Sequence, residues 1–221
     1  MKKYQLTDET LVVNGRTLHR IRALRSFGDV IAGELGGWIE SEKNLSHGGD
    51  AWVYGNAQVY GDAWVCGNAW VYGDARVYGD AQVFGDARVF GDARVFGNAQ
   101  VCGDAWVCGD ARVFGNARVC GDAWVFGDAQ VFGNARVCGL DQILWIAPIG
   151  SRNDTTTFFA CADGKIRAKC GCFYGDLDEF ENAIQRTHGD NQYAVVYRLA
   201  IEMARARILI SNAKQGGERN G

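Results

Sequence analysis

The residues best suited to chemistry in this chain lie in one stretch, Ile149-Gly150-Ser151-Arg152-Asn153-Asp154-Thr155-Thr156-Thr157. Its hydroxyls, amide and single guanidinium, together with turn N–H groups, suit a phosphate or a carboxylate. Lys165, Lys169 and His188 add positive charge further along. The expected activity is capture of an anionic, nucleotide-like small molecule by Ser151, Arg152, Asn153, Asp154, Thr155, Thr156, Lys169 and His188. The same residue types also make an ordinary polar connector ordered by Thr and Asn hydrogen bonds. The sequence weighs the two readings evenly.

Other constellations carry less. Cys170-Gly171-Cys172 is too tight for a usual zinc pair, and only Cys161 and His188 lie near it in sequence. Asp and Asn recur at regular intervals between residues 50 and 134, but turn chemistry accounts for them. No metal and no cofactor is expected.

The elements that position the polar stretch form an α+β unit over residues 140–213. Ile143–Ile146, Thr155–Ala160 and Lys165–Lys169 read as strands, with Asp163-Gly164 turning between the last two. Asp176-Leu177-Asp178-Glu179 has capping-box spacing ahead of a helix to about Thr187, which His188-Gly189 stops. A second helix, from about Asn191 to Ser211, presents Val195, Leu199, Met203 and Ile210 at helical spacing. Residues 214–221 form a polar, disordered tail.

Most of the chain before this unit is a repeat. From Gly49 to Cys138 the phrase Gly-(Asp/Asn)-Ala-x-Val-(Tyr/Phe/Cys) occurs fifteen times without insertion or deletion. Ala-x-Val-x alternates with the period of a strand, and each Gly-Asp or Gly-Asn pair makes a turn. Strands this short hide their Val column only if the chain coils, each turn pairing its backbone with the next. Residues 49–139 are therefore a mainly β solenoid, and residues 1–48 a small β-rich N-terminal cap. Tyr4–Leu6, Thr10–Val13 and Thr17–Ile21 are the expected strands of that cap, with Asn14-Gly15 as a hairpin turn. Gly33–Ile39 and Asn44-Leu45-Ser46 then lead into the repeat as an irregular first coil.

The phrase resembles the hexapeptide repeat of left-handed parallel β-helices, with Val53 and Ala57, Val59 and Ala63, continuing to Val131 and Ala135, as the periodic pair. The resemblance implies a triangular coil of three hexads and supplies the handedness. General sterics favour right-handed crossovers. With three hexads per coil, one outer column is Trp52, Trp70, Arg88, Trp106 and Trp124, beside Tyr54 and Tyr72. A second is Gln58, Arg76, Arg94, Arg112 and Gln130, and a third is Trp64, Gln82, Gln100, Arg118 and Arg136. Contiguous aromatic ladders are uncommon on soluble monomers. The first column is therefore expected to form a homo-oligomer interface, a homotrimer by resemblance to this fold, or to grip a host protein. The alternative is that the rings stack on their own ladder neighbours.

Many hexapeptide-repeat proteins transfer acyl groups with a histidine base. Here His19, His47 and His188 all lie outside the hexads, and no loop interrupts them to form a pocket. A non-enzymatic role is favoured over acyl transfer. The chain carries 23 Lys and Arg against 26 Asp and Glu, net −3, which disfavours a dedicated nucleic-acid binder. The start, Met1-Lys2-Lys3-Tyr4-Gln5-Leu6, has no apolar run, so neither a secretory signal nor a membrane role is expected, and thiols should stay free.

Gly36-Gly37-Trp38-Ile39-Glu40, the hexads, Ile149 to Thr156, Cys170-Gly171-Cys172-Phe173-Tyr174-Gly175 and His188-Gly189-Asp190-Asn191 appear in that order. The order is similar to hexapeptide-repeat proteins of bacteriophage and prophage genomes, of the polymer-forming or transferase-like type. The resemblance implies an accessory role in the cytoplasm of an infected host cell and leaves the activity open. Sequestering a nucleotide immune signal of the host would suit such a protein.

Overall fold

A computed structural model describes residues 2–208 of the chain. They divide into two compact units, one ending at Leu140 and one starting at Asp141. The second helix, expected to run to about Ser211, ends at Arg207 with Ile208 already extended, while the expected Ile210 and the tail at 214–221 lie outside the described residues.

The first unit is a three-sided parallel β-solenoid. Each hexad contributes one strand of two to four residues, and every strand pairs with the one three hexads later. Thus Trp52 lies beside Trp70, Gln58 beside Arg76 and Trp64 beside Gln82, and the three columns stay in register to the last coil. Backbone N–H groups donate to the following coil, Trp52 to Ala69 at 3.0 Å and Tyr54 to Val71 at 2.8 Å. Inside, the Ala and Val of each hexad are fully buried, each Val worth about 1.5 kcal/mol or more by transfer. Corners stack on corners. Gly85 has φ +73, and a Cβ there would lie 2.9 Å from the Gly103 nitrogen, so the corner admits no side chain.

Outside, the rings do stack along the coil. Tyr60, Tyr78, Phe96, Phe114 and Phe132 form one ladder at 4.7–5.1 Å, their planes within 3°. Arg88 interrupts the tryptophan column with its guanidinium 5.2 Å from both the Trp70 and Trp106 rings.

The N-terminal segment closes one end. β1 (Tyr4–Val13) and β2 (Arg16–Ala23) form an antiparallel hairpin through Asn14-Gly15, and β3 (Leu35–Ile39) carries it into the sheet of the second column. Tyr4–Leu6 and Thr10–Val13, expected as separate strands, are one strand with a register shift between Leu6 and Thr10. The segment Gly36–Ser46 is the irregular first coil: Trp38 pairs with Gln58, and the Ser46 N–H donates to Val65 at 2.9 Å. This cap covers Trp52, which is fully buried with the Tyr4 and Phe27 rings edge-on to it. Trp52 therefore belongs to the core under the cap and leaves the set proposed for an exposed interface. Periodicity alone put it outside, because the column says nothing of what packs over its first rung.

The second unit is a four-stranded antiparallel sheet, Ile143–Ile149, Asp154–Ala160, Ile166–Cys170 and Phe173–Asp176, with two helices on one face. The fourth strand was not expected from the sequence. Helix α1 (Leu177–His188) opens on the predicted capping box: Asp176 accepts from the Glu179 N–H at 3.0 Å, and Glu179 accepts from the Asp176 N–H at 2.8 Å. Helix α2 (Gln192–Arg207) starts at the Asn191 cap. Its face differs from the predicted one. Ala194, Tyr197, Ala200, Ile201 and Ala204 are buried, whereas Val195, Leu199 and Met203 are 49%, 63% and 52% exposed. The alanines let the helix axis approach its neighbours, and close packing outweighs the larger side chains of the other face.

Candidate functional site

The polar stretch spans the turn at residues 150–153 and runs into the second strand of the second unit, which starts at Asp154. Gly150 and Asn153 take the left-handed backbone conformation, φ +71 and +49, and the Asn153 N–H closes onto the Gly150 carbonyl at 3.3 Å. Gly150 is glycine because Tyr197 of α2 presses on it: a Cβ there would overlap the phenol oxygen.

Tyr197 is the centre of the site and was missed by sequence reasoning. Its only sequence signal is an aromatic residue set among alanines on α2. The Cys170 Sγ–H donates to its hydroxyl at 3.5 Å, and the His188 ring stacks on it with centroids 5.7 Å apart. Burial, reinforced by Cys170, pushes the phenol well above the usual tyrosine range, so it remains a neutral donor. Cys170 pairs across the sheet with Thr156, which is fully buried. The Thr156 Oγ1 has no hydrogen-bond partner among the described residues.

The cations meet one residue further on. A Cβ on Gly171 would lie 2.6 Å from the Arg152 Nη1, so the guanidinium approaches that turn closely. Lys169 donates its ammonium to the Gly171 carbonyl. Asp154 accepts from the Thr155 N–H at 2.8 Å, and Ser151 and Asn153 stand exposed on the turn. The structure thus brings Arg152 and Lys169 together at Gly171, sets His188 on Tyr197, and places Thr156 across from Cys170. Lys165 is not part of the cluster, because its ammonium is held by Asp176 at 2.9 Å. Arg167 is likewise taken by Asp163, whose carboxyl it pulls down to about 2.

The remaining histidines are tied into the cap. The His47 ring stacks on Tyr4 at 4.4 Å with its Nε2 3.5 Å from Glu42, and the His19 Nδ1 lies 3.3 Å from the Thr7 carbonyl. No group of three or more His, Cys, Asp or Glu among the described residues is placed to hold a metal ion. No helix among them is long and apolar enough to cross a membrane.

The coil geometry agrees with comparisons to known proteins. The family described as the YdcK Beta solenoid repeat matches residues 51–67, 57–73, 69–85, 81–97, 87–103, 105–121 and 111–127. The repeat region is a hexapeptide β-solenoid. A curated relative, the "Uncharacterized acetyltransferase YdcK" of Escherichia coli (strain K12), is 37% identical over 62 residues, or 24% of this chain. The match spans only 19% of that relative's length. The family matches all fall within the coil, and none reaches the unit that carries the Tyr197 cluster.

Proposed function

We propose that the protein is a non-enzymatic binding scaffold. The solenoid is its rigid body, and the C-terminal unit captures an anionic, nucleotide-like ligand. The observation that carries this reading is the pairing of Arg152 and Lys169 at Gly171, next to the buried, unpartnered Thr156 hydroxyl across from Cys170. A buried hydroxyl without a partner is costly, and a ligand oxygen would satisfy it while the two cations neutralise a phosphate. Tyr197, kept protonated, offers a further donor. On this reading the accessory role in an infected cell is to hold a nucleotide signal out of circulation. Titration calorimetry of the full chain with cyclic and ADP-ribose-derived nucleotides should show binding that Arg152→Ala abolishes. Silence across the panel would remove the reading.

The name of the curated relative favours a second reading, acyl transfer. Against it, His19 and His47 lie in the cap, outside the hexads, and His188 is stacked on Tyr197. Thiol release from acetyl-coenzyme A with candidate acceptors, above the rate without protein, would establish it.

A further inference from the structure

The second outer column of the solenoid holds an unusual line of charge. Arg76, Arg94 and Arg112 stand in register on three successive coils. The Tyr78 and Phe96 rings beside them stack at 5.0 Å, which sets the step of the ladder. Like charges directly opposite on neighbouring strands repel. None of the three guanidiniums forms an ion pair or a hydrogen bond among the described residues. By contrast, two other charged pairs beside the column are closed. Arg16 is held by both oxygens of Glu40 at 2.9 Å, and Asp62 by Lys43 at 2.8 Å.

Arg76 and Arg94 line a groove of about 400 Å³, together with Tyr60, Tyr78 and the hairpin-turn residues Asn14 and Arg16. Asp80 is the one lining carboxylate not already engaged by a cation, against two free guanidiniums in the groove and a third on the next coil. A single carboxylate would answer one rung. A line of guanidiniums calls for a line of anionic groups, each offering two oxygens to one planar fork. Gln58 and Gln130 flank the three arginines in the column, so the line of charge is three rungs long and a long polymer is a poor fit.

We propose that this groove is a binding site for a short phosphoanhydride chain, with Arg76, Arg94 and Arg112 each gripping one phosphoryl group. The site lies in the first unit and is independent of the Tyr197 cluster. The chain has two possible sources, inorganic triphosphate or the phosphate tail of a nucleotide, and both share the recognised chemistry.

The test is calorimetric titration of the full chain with inorganic triphosphate and, separately, with ATP at low salt. Triphosphate should bind one site per chain, weaken steeply with added salt, and lose about tenfold or more in affinity in Arg76→Gln with Arg94→Gln. Arg152→Ala should leave this binding unchanged, which separates it from the nucleotide reading above. ATP binding tighter than triphosphate assigns the groove to a nucleotide tail, and equal binding assigns it to the inorganic chain. Absence of triphosphate binding, or affinity retained within about twofold in the double variant, overturns the proposal. The free protein gives a second readout: Arg94→Gln should raise the melting temperature by relieving repulsion, and a fall would overturn the claim that the column is unpaired.

Discussion

The ammonium of Lys3 donates to the carbonyl of Ala51 at 2.7 Å inside a fully buried site. The Gly49 carbonyl lies 3.4 Å away and the Phe27 ring 4.9 Å away. Coil carbonyls accept from the N–H groups of the coil before, and the first regular coil has only an irregular turn before it. Side chains supply the missing donors. Asn44, also fully buried, donates to the Gly61 and Ala63 carbonyls at 3.0 and 2.9 Å, as Lys3 does to Ala51. The open edge of the sheet stack is thus closed by two polar side chains.

This arrangement makes stability depend on pH in a defined way. Burial pushes the Lys3 ammonium from 10.5 down to about 8. Below that pH both folded and unfolded chains hold the proton, and the cost of burying the charge is fully present. Between about 8 and 10.5 the unfolded chain keeps a proton that the folded chain has released, so stability rises with pH. Tyrosines act in the opposite sense. Burial raises Tyr4 strongly and Tyr54 up to about 12, so stability they contribute is lost as pH climbs above 10.0. Burial raises the Cys66, Cys108 and Cys161 thiols above 9.0 in that same sense, so urea unfolding across this range should show stability passing through a maximum at about pH 9. Lys3→Met should lose the rise and keep the fall, and a rise that survives the substitution would refute the assignment.

The corner glycines predict a position-dependent cost. Gly85→Ala forces a left-handed conformation, worth about 1–2 kcal/mol, and drives a methyl toward the Gly103 backbone. Gly55→Ala meets the same backbone restriction at φ +58 but has nothing within 4 Å of its Cβ. The first variant should therefore lose clearly more stability than the second in denaturant unfolding. Equal losses would mean that the corners do not need close contact.

Much of this architecture was legible because a strict period leaves one solution. Gly at every sixth position and Val buried at every sixth gave the strands and corners, and the three hexads per coil implied by the resemblance then set the register of all three columns. The capping box at Asp176 and Glu179 was equally readable, since it is a local bond between near neighbours. What failed were relations between distant segments. Nothing in the Trp52 hexad distinguishes it from that of Trp70, and only the hairpin packed over it makes it core. Val195, Leu199 and Met203 obey helical spacing as well as Ala200 and Ala204 do, and close packing chose the smaller set. In the candidate site, Arg152 and Thr156 were visible as polar residues of one turn and the strand after it. Tyr197, some forty residues later, was not, because its role depends on a helix laid across that turn.

The exposed aromatics that remain carry the expectation of self-association to a test. On the first column's face Trp124 and its neighbour Phe126 are 42% and 41% exposed, and Trp106 stacks on Trp124 at 5.0 Å. We expect light scattering to report a homotrimer, and Trp70→Ser with Trp106→Ser to run as single chains. A wild-type mass of one chain, or a mass unchanged in the variant, would remove the interface.

The last coil gives a chemical prediction. Register places Cys120 and Cys138 one coil apart with Cα atoms at 4.4 Å, and the two are joined as a disulfide. Sequence reasoning favoured free thiols from the lack of a secretory signal, an argument about compartment that geometry does not share. Cys66, Cys102, Cys108, Cys161, Cys170 and Cys172 remain free. Alkylation of the chain unfolded without reductant should therefore label six of its eight cysteines, and all eight after reduction. The bond ties the final coil to the one before across a separation of 18 residues, and chain entropy makes such a closure worth about 3 kcal/mol. Reductant should accordingly lower the unfolding midpoint of the wild type and leave that of Cys138→Ser unchanged. Eight labelled thiols without reductant would show that the coil closes by backbone pairing alone.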